Sequence, residues 1–372
     1  ETMDAKNEPA AAAIESHRKY LGDVGAVHHG MELDESRLTG YLQGTVKGFR
    51  GPVRVQQFDG GQSNPTYLLH TAAEKFVLRR RPPGVLLESA HQVQREYRVM
   101  SALHAAGFPV PEPVAMCVDE DVIGSQFYVM RFVPGRIFCD CRMPDLSVEE
   151  RARVFDSVNE TLAQLHVLDA DKLGLGDFGR PGNYFARQTA RWSRQYEGSR
   201  TQEIPEMERL MAWLPTAVPA DDGRVSVIHG DFSFHNLLID PGTGKVAAVI
   251  DWELSTLGHP MGDLSYHLME WYRPAGIDIR GTLRGADLVA LGIPTLDEYV
   301  RRYAERTGFD MAGVLPFYRS FNLFRVAAIL QGVAHRAAQG NAAASNALEV
   351  AKLVRPLAIA AWNEAREAGA GA

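Results

Sequence analysis

The sequence predicts an α+β fold of two lobes, with an antiparallel sheet in the N-terminal lobe and a mainly helical C-terminal lobe. Its 372 residues exceed the usual size of a single compact domain. Short runs with strand alternation and intervening turns are concentrated before residue 133. Long stretches with helical spacing of apolar residues follow it. We therefore expect a flexible N-terminal tail at residues 1–30, an N-lobe at 31–132 and a C-lobe at 133–372.

The composition argues against nucleic-acid and membrane partners. The formal net charge is −7 and the pI is near 6.0, whereas a nucleic-acid surface needs a basic stripe. No stretch approaches eighteen uninterrupted apolar residues, and the amino-terminal residues do not resemble a signal peptide. Three cysteines are too few and too irregularly spaced for a zinc site, so we expect free thiols and a cytoplasmic location.

The most informative stretch is residues 227–253, which reads V-I-H-G-D-F-S-F-H-N-L-L-I-D-P-G-T-G-K-V-A-A-V-I-D-W-E. Two apolar runs flank the turn sequence D-P-G-T-G, a pattern typical of a β-hairpin. Folding this hairpin brings Asn236 and Asp251 together at its open end. Asp231 lies five residues before Asn236, so three oxygen-bearing side chains are expected in one small volume.

These residue types suit phosphoryl transfer. The spacing H-x-D-x-x-x-x-N is that of a phosphotransferase catalytic loop, in which the Asp accepts the hydroxyl proton and the Asn holds a metal. We predict Asp231 as the catalytic base and Asn236 and Asp251 as ligands of Mg²⁺, which prefers such oxygens. In the alternative interpretation these three residues only cap loops and turns. For His229 a structural role is the better interpretation.

Together with the following L-G-H-P-M-G-D-L, this stretch resembles the aminoglycoside phosphotransferase family, which is also similar to choline kinases. The branch it resembles most is the phosphotransferase domain fused to acyl-CoA dehydrogenases in some larger proteins. The resemblance covers roughly residues 33–360. It implies a protein kinase-like fold, ATP and Mg²⁺ as cofactors, and a small-molecule acceptor with a hydroxyl group.

In the N-lobe, a predicted strand at residues 53–58 is followed by a glycine-bearing turn and a second strand. Glycine at a hairpin tip lets backbone N–H groups approach phosphate oxygens. The resemblance implies that this loop covers the nucleotide phosphates, which makes Gly60, Gly61, Ser63 and Asn64 candidate nucleotide-binding residues. An ordinary hairpin turn is the alternative interpretation.

The next predicted strand, F-V-L-R-R-R, ends in cations. Alignment with the kinase strand that carries a phosphate-binding lysine places Arg79 in the lysine position, as in choline kinases, and Arg80 is a rival assignment. The planar guanidinium group of arginine can donate two parallel hydrogen bonds to phosphate oxygens. On the helix predicted at 91–104, Glu96 is the candidate ion-pair partner of Arg79, or else a solvated helix carboxylate.

A predicted strand at residues 126–132 ends at V-P-G, which we interpret as the hinge between the lobes. Adenine is flat and apolar with an edge of donors and acceptors, so main chain exposed after a strand can bind it. We therefore include Met130 and Phe132 among the candidate nucleotide-binding residues.

The C-lobe is predicted to be helical. Ser147 and Thr295 open capped helices, and two more are expected at 317–338 and 342–364. Asp263 is interpreted as structural, either as a helix N-cap or, as the resemblance implies, as a brace for the active-site loops.

The sequence thus predicts an ATP- and Mg²⁺-dependent phosphotransferase that acts on a hydroxyl of a small molecule. Aminoglycosides are polycations and call for an acidic receptor surface, yet basic residues outnumber acidic ones from Glu270 to Ala372. This favours a neutral or anionic acceptor, such as a hydroxyacyl compound. An aminoglycoside O-phosphotransferase and a nucleotide-binding module without catalysis are the alternatives.

Overall fold

The computed structural model describes residues 24–58, 64–82, 93–276, 281–309, 315–338 and 347–371. Within these ranges the N-lobe is built on a six-stranded antiparallel sheet in the order β1-β2-β3-β4-β6-β5. The strands are β1 (Val24–Gly25), β2 (Arg54–Phe58), β3 (Thr66–His70), β4 (Lys75–Arg80), β5 (Pro113–Cys117) and β6 (Phe127–Arg131). Strand β1 pairs with β2, so part of the stretch expected to be a tail belongs to the sheet.

Two helices cover the sheet. Helix α1 (Glu35–Thr45) begins after the predicted N-cap Asp34, whose side chain accepts from two backbone N–H groups. Helix α2 (Val93–Ala105) follows β4 in the chain. Successive side chains of β4 point to opposite faces of the sheet. Phe76 and Leu78 belong to the hydrophobic core beneath α1, and Val77 belongs to the larger core that extends into the C-lobe. The same alternation sends Arg79 to the C-lobe face of the sheet.

The C-lobe is mainly helical, as predicted. Its described helices are α3 (Val148–Val167), α4 (Tyr184–Ser199), α5 (Pro205–Ala217), α6 (Met261–His267), α7 (Met269–Tyr272), α8 (Leu288–Leu291), α9 (Leu296–Thr307), α10 (Leu315–Ala338) and α11 (Ala347–Glu367). The predicted capping boxes at Ser147 and Thr295 are present. Helices α4 and α5 had not been predicted; α5 contains an internal proline, Pro215, which ordinarily indicates a helix end.

Residues 227–253, the segment with the phosphotransferase spacing, form most of two short antiparallel strand pairs. Strand β7 (Ser226–Ile228) pairs with β10 (Thr256–Gly258), and β8 (Leu237–Ile239) pairs with β9 (Val246–Val249) as the predicted hairpin. The hairpin is bonded to the interlobe segment, since Arg136 and Ile239 exchange backbone hydrogen bonds of 2.8 and 2.9 Å. The Val249 N–H of β9 also donates to the Pro109 carbonyl of the N-lobe at 2.8 Å, so the two lobes are joined beside the hairpin.

The three cysteines form no disulfide, in agreement with the expectation of free thiols. Burial raises the pKa of the Cys141 thiol far above its ordinary value, with Glu270 adding to the effect. In the described part of the chain we find no helix that is both long and apolar enough to cross a bilayer.

Candidate active site

The loop between β7 and β8 is held from two sides through its backbone. Asp263, in the first turn of α6, accepts from the His229 N–H at 2.6 Å and from the Gly230 N–H at 2.7 Å. Arg325, on α10, donates to the Gly230 carbonyl at 2.8 Å. The helix N-cap is Pro260, so the predicted N-cap role of Asp263 is wrong and the bracing role is the one seen. These bonds fix the backbone immediately before Asp231.

The imidazole of His229 is fully buried and engaged with the backbone. Its Nε2 lies 2.8 Å from the Ile250 carbonyl, and the Asp231 N–H donates to Nδ1 at 3.2 Å. Its ring packs edge to face on Trp252, with the ring centroids 4.7 Å apart. Nε2 therefore ties the loop to the residue that follows β9, and Nδ1 holds the loop backbone at Asp231, which fits the structural role expected of this histidine.

Asp231 and Asn236 face each other across the loop. The amide Nδ2 of Asn236 donates to the Asp231 carbonyl at 2.9 Å and to its carboxylate Oδ2 at 3.1 Å. His235 Nε2 lies 3.6 Å from the same carboxylate oxygen. Since the amide nitrogen of Asn236 is used in these bonds, its amide oxygen is the atom that can ligate a cation.

The hairpin brings Asp251 to the same place. Leu237 pairs with Val249, and the Ile250 N–H donates to the Asn236 carbonyl at 3.0 Å, so Asp251 follows directly beyond this bond. Asp251 has a left-handed backbone conformation with φ +68°, uncommon for a residue other than glycine. Its side chain is 38% exposed, as a ligand for a diffusible ion must be.

Arg79 reaches this cluster from the N-lobe sheet. Its Nη1 lies 2.8 Å from Asp251 Oδ1 and 3.1 Å from Glu96 Oε2, and its Nη2 lies 3.5 Å from Glu253 Oε2. Burial opposes the charge of the guanidinium, but the nearby Glu96 and Asp251 carboxylates outweigh it and raise the pKa of Arg79. The cation is therefore retained in a buried position.

Glu96 meets Arg79 from helix α2, where the sequence had predicted it. The carboxylate is buried and accepts from Asn64 Nδ2 at 2.9 Å and from the Tyr128 hydroxyl at 3.0 Å. Burial raises the pKa of Glu96 above its ordinary value of 4.5, and Arg79 and the two hydrogen bonds oppose that rise. A solvated helix carboxylate, the alternative interpretation, is inconsistent with this burial.

For the other candidate nucleotide-binding residues, the structure gives positions for some and not for others. Gly60, Gly61 and Ser63 lie outside the described residues. Arg80, the rival to Arg79, points to the opposite face of the sheet, where its guanidinium packs over the Tyr67 ring at 5.4 Å. It therefore lies away from the Asp251 cluster.

In the interlobe segment, Met130 pairs with Val77 on the neighbouring strand. The Phe132 N–H donates to the Lys75 carbonyl at 3.1 Å, and the Arg131 N–H donates to Glu112. Because these two N–H groups are already bonded, a purine would need other main-chain groups of the segment. Adenine binding by Met130 and Phe132 stays a prediction.

Sequence reasoning missed four side chains of the cluster: Tyr128, His235, Glu253 and Arg325. Glu253 was within reach, because it belongs to the I-D-W-E segment already singled out. Tyr128 could have been found from the strand register, in which it lies opposite Arg79. Arg325 had no signal, since its contact with Gly230 joins residues 95 positions apart.

The chain is similar to known proteins in sequence and in fold. The sequence model of the phosphotransferase enzyme family matches residues 54–316. The chain is 41% identical over 340 residues to acyl-CoA dehydrogenase family member 10 of Mus musculus, covering 91% of this chain and 32% of the mouse protein. The chain thus spans about a third of that relative's length.

Solved structures show the same fold. A Ralstonia eutropha protein assigned to the aminoglycoside phosphotransferases is 44% identical, with a TM-score of 0.83 and coverage of 90% of this chain and 99% of that one. Choline kinase from Cryptosporidium parvum (TM-score 0.62, 11% identity, 90% and 96% coverage) shares the protein kinase-like fold. So does a spectinomycin phosphotransferase in complex with ADP (TM-score 0.60, 11% identity, 91% and 100% coverage).

The family match covers most of the chain, and the Ralstonia structure is similar over nearly its whole length. The chain belongs to the phosphotransferase enzyme family.

Proposed function

We propose that the protein transfers the γ-phosphoryl group of ATP to a hydroxyl group of a small molecule, with Mg²⁺ as cofactor. The observation that supports this proposal is a chain of contacts: Asn236 bonds to Asp231 and, through its carbonyl, to the residue before Asp251, and Asp251 pairs with Arg79. The adenine nucleotide is supported by the ADP complex of the spectinomycin enzyme, which has the same fold.

The donor set fits magnesium. Mg²⁺ is commonly bound through one or two protein oxygens, with nucleotide phosphates and waters completing its octahedron. The Asn236 amide oxygen and the partly exposed Asp251 carboxylate would supply those protein oxygens. When bound, the ion would neutralise charge on the phosphates during transfer.

Two of the chain's own residues would then act on the bound reactants. Arg79, buried and held by Glu96, would bind phosphate oxygens through its fork. Asp231, positioned by the Asn236 amide, would accept the acceptor's hydroxyl proton. As that oxygen bonds to the γ-phosphorus, the bond from phosphorus to the β-γ bridging oxygen breaks and ADP leaves with the electron pair.

The acceptor class is supported by sequence similarity and by charge. The mouse relative is named an acyl-CoA dehydrogenase family member, which favours a hydroxyacyl compound. An aminoglycoside acceptor is the second candidate, because the similar Ralstonia protein is assigned to the aminoglycoside phosphotransferases. The excess of bases over acids from Glu270 to Ala372 favours the first, because aminoglycosides are cationic.

The test is ADP release from ATP and Mg²⁺ with hydroxyacyl-CoAs and with kanamycin as acceptors. We expect turnover with a hydroxyacyl compound and none with kanamycin; turnover of kanamycin alone would contradict the preferred acceptor. Asp231→Ala should lower kcat by a factor of about 10² to 10⁴ and change ADP affinity only a few-fold. Full activity of this variant would remove Asp231 from the mechanism, and ADP binding without turnover of any acceptor would favour a binding module.

A further inference from the structure

Arg325 is a buried cation next to the catalytic loop with little to balance its charge. Its side chain is 7% exposed, and one of its N–H groups donates to the Gly230 carbonyl. The Nε of Arg325 is buried and has no hydrogen-bond partner in the described part of the chain. Among the residues that the structure describes, no carboxylate lies within 4.0 Å of this guanidinium. Arg79 and Arg273, by contrast, are buried against carboxylates.

A charge removed from water costs several kcal/mol unless it is paired or well hydrogen-bonded. Two aromatic faces supply part of the compensation: the guanidinium carbon lies 4.8 Å from the Tyr266 ring centroid and 5.4 Å from that of Trp192. A bound anion would provide the missing counter-charge.

Trp192 supplies a second donor at this place. It is 8% exposed, and its buried indole Nε1 likewise has no hydrogen-bond partner within the described ranges. A buried indole N–H normally finds an acceptor. Two unused donors, one of them charged, therefore occur on side chains that are in contact with each other.

A further guanidinium extends this positive region to the surface. Arg191 is exposed on α4, and its guanidinium carbon lies 5.1 Å from the centroid of the same indole ring. Trp192 thus contacts one arginine open to solvent and one adjoining the catalytic loop. Such an arrangement attracts anions and guides them inward.

We infer that Arg325, Trp192 and Arg191 form a subsite for an anionic group of the acceptor, a carboxylate or a phosphate, in a hydroxyl compound. The inference rests on the proposed function, because Arg325 adjoins Asp231 from the C-lobe whereas Arg79 meets the site from the N-lobe. Such a subsite would also disfavour cationic acceptors, because the Arg325 guanidinium would repel them.

Calorimetric titration of the ADP-saturated protein tests the subsite without turnover. The probes are butyrate, coenzyme A and the neutral butyramide, so the result distinguishes a carboxylate from a phosphate source. We expect at least one anion to bind and butyramide not to bind. Arg325→Met should weaken anion binding about tenfold, the loss of one charge-assisted hydrogen bond, and Arg325→Lys less.

Arg191→Gln is a second variant that can be measured even if Arg325→Met does not fold, because Arg191 is exposed and its replacement should not disturb folding. We expect Arg191→Gln to weaken anion binding about threefold. Arg209→Gln is the matched control, since this exposed arginine packs over a different indole, that of Trp362, at 5.7 Å. The control should bind anions as the wild type does. Failure of both anions to bind, equal binding of butyramide, or unchanged binding in the Arg325 and Arg191 variants would overturn the inference.

A kinetic arm separates this inference from the proposed function. With 3-hydroxybutyrate and its amide as acceptors, kcat/KM should favour the acid in the wild type, and the preference should disappear in Arg325→Met. Equal phosphorylation of acid and amide by the wild type would overturn the subsite and leave the proposed function intact. Anion binding that depends on Arg325, without phosphoryl transfer to any hydroxyl, would overturn the function instead.

Discussion

The guanidinium of Arg79 lies 2.8 Å from the carboxylate of Asp251, although 172 positions separate the two residues in the chain. One belongs to the N-lobe sheet and the other follows the C-lobe hairpin. The candidate phosphate-binding cation and a candidate metal ligand are thus in contact. A bound Mg²⁺ would compete with Arg79 for this carboxylate.

Arg79→Met should destabilise the protein. It would leave Glu96 buried without its cation, and breaking a buried ion pair on one side typically costs about 3–5 kcal/mol. The KM for ATP should rise as well, because phosphate oxygens lose a donor. Urea unfolding measures the first effect and steady-state kinetics the second. Arg54→Met is the control, since Arg54 forms an exposed pair with Glu35 and should change stability by less than about 1 kcal/mol. Equal stability losses in the two variants would contradict the assigned role of the Arg79 network.

Asp251→Asn should reduce the dependence of nucleotide binding on magnesium. The amide is a weaker ligand for a hard cation than the carboxylate it replaces. ADP affinity should therefore increase with added Mg²⁺ in the wild type and change much less in the variant. Calorimetric ADP titrations with Mg²⁺ and with EDTA give both numbers. An unaltered Mg²⁺ dependence would show that Asp251 is not a metal ligand.

His267 should make stability depend on acid pH. Burial lowers the pKa of this histidine to about 3, and the nearby Asp263 opposes the shift. The folded state thus favours the neutral ring, whereas the unfolded chain takes up a proton near the ordinary value of 6.5. The stabilisation is present above pH 6.5 and is lost as the pH falls from there towards 3. Between pH 6.5 and 5 this loss is on the order of 2 kcal/mol.

His267→Gln tests that expectation, because glutamine does not titrate and can still reach the Tyr299 hydroxyl, which lies 3.0 Å from the imidazole Nε2. The variant should be less stable at pH 7, since it loses packing against Phe234 and Trp271. Its further loss of unfolding free energy on acidification to pH 5 should be smaller than that of the wild type. Parallel losses in the two proteins, measured by urea unfolding, would disprove the role of His267.

Gly230→Ala should impair both stability and catalysis. Gly230 has φ +85°, and an added Cβ would lie 2.6 Å from the Leu254 carbonyl oxygen. Backbone strain of this kind costs about 1–3 kcal/mol, and relieving the clash would displace Asp231. Gly223→Ala is the control: its φ is +77°, but nothing lies within 4 Å of the added atom. A kcat loss confined to the Gly230 variant would indicate that the close approach to Leu254, rather than strain alone, controls the loop.

Much of the site could be predicted because its signals are local. The hairpin that unites Asn236 and Asp251 is encoded by two apolar runs and a turn within a few residues. Strand alternation on β4 separates Arg79 from Arg80. The caps at Ser147 and Thr295 follow from spacings of three residues.

The sequence by itself determined which functional groups are available and their local positions. These are the spacing of Asp231 and Asn236, the hairpin that brings Asp251 back to them, and the arginine at the end of a predicted strand. Only the tertiary structure decided which charges are balanced. It placed Glu253 beside Arg79 and Tyr128 beside Glu96. It also placed Arg325 next to Gly230, with no carboxylate of the described residues within 4.0 Å of its guanidinium. The reason is that burial and ion pairing depend on contacts between elements far apart in the chain. Residue spacing reports only short-range geometry.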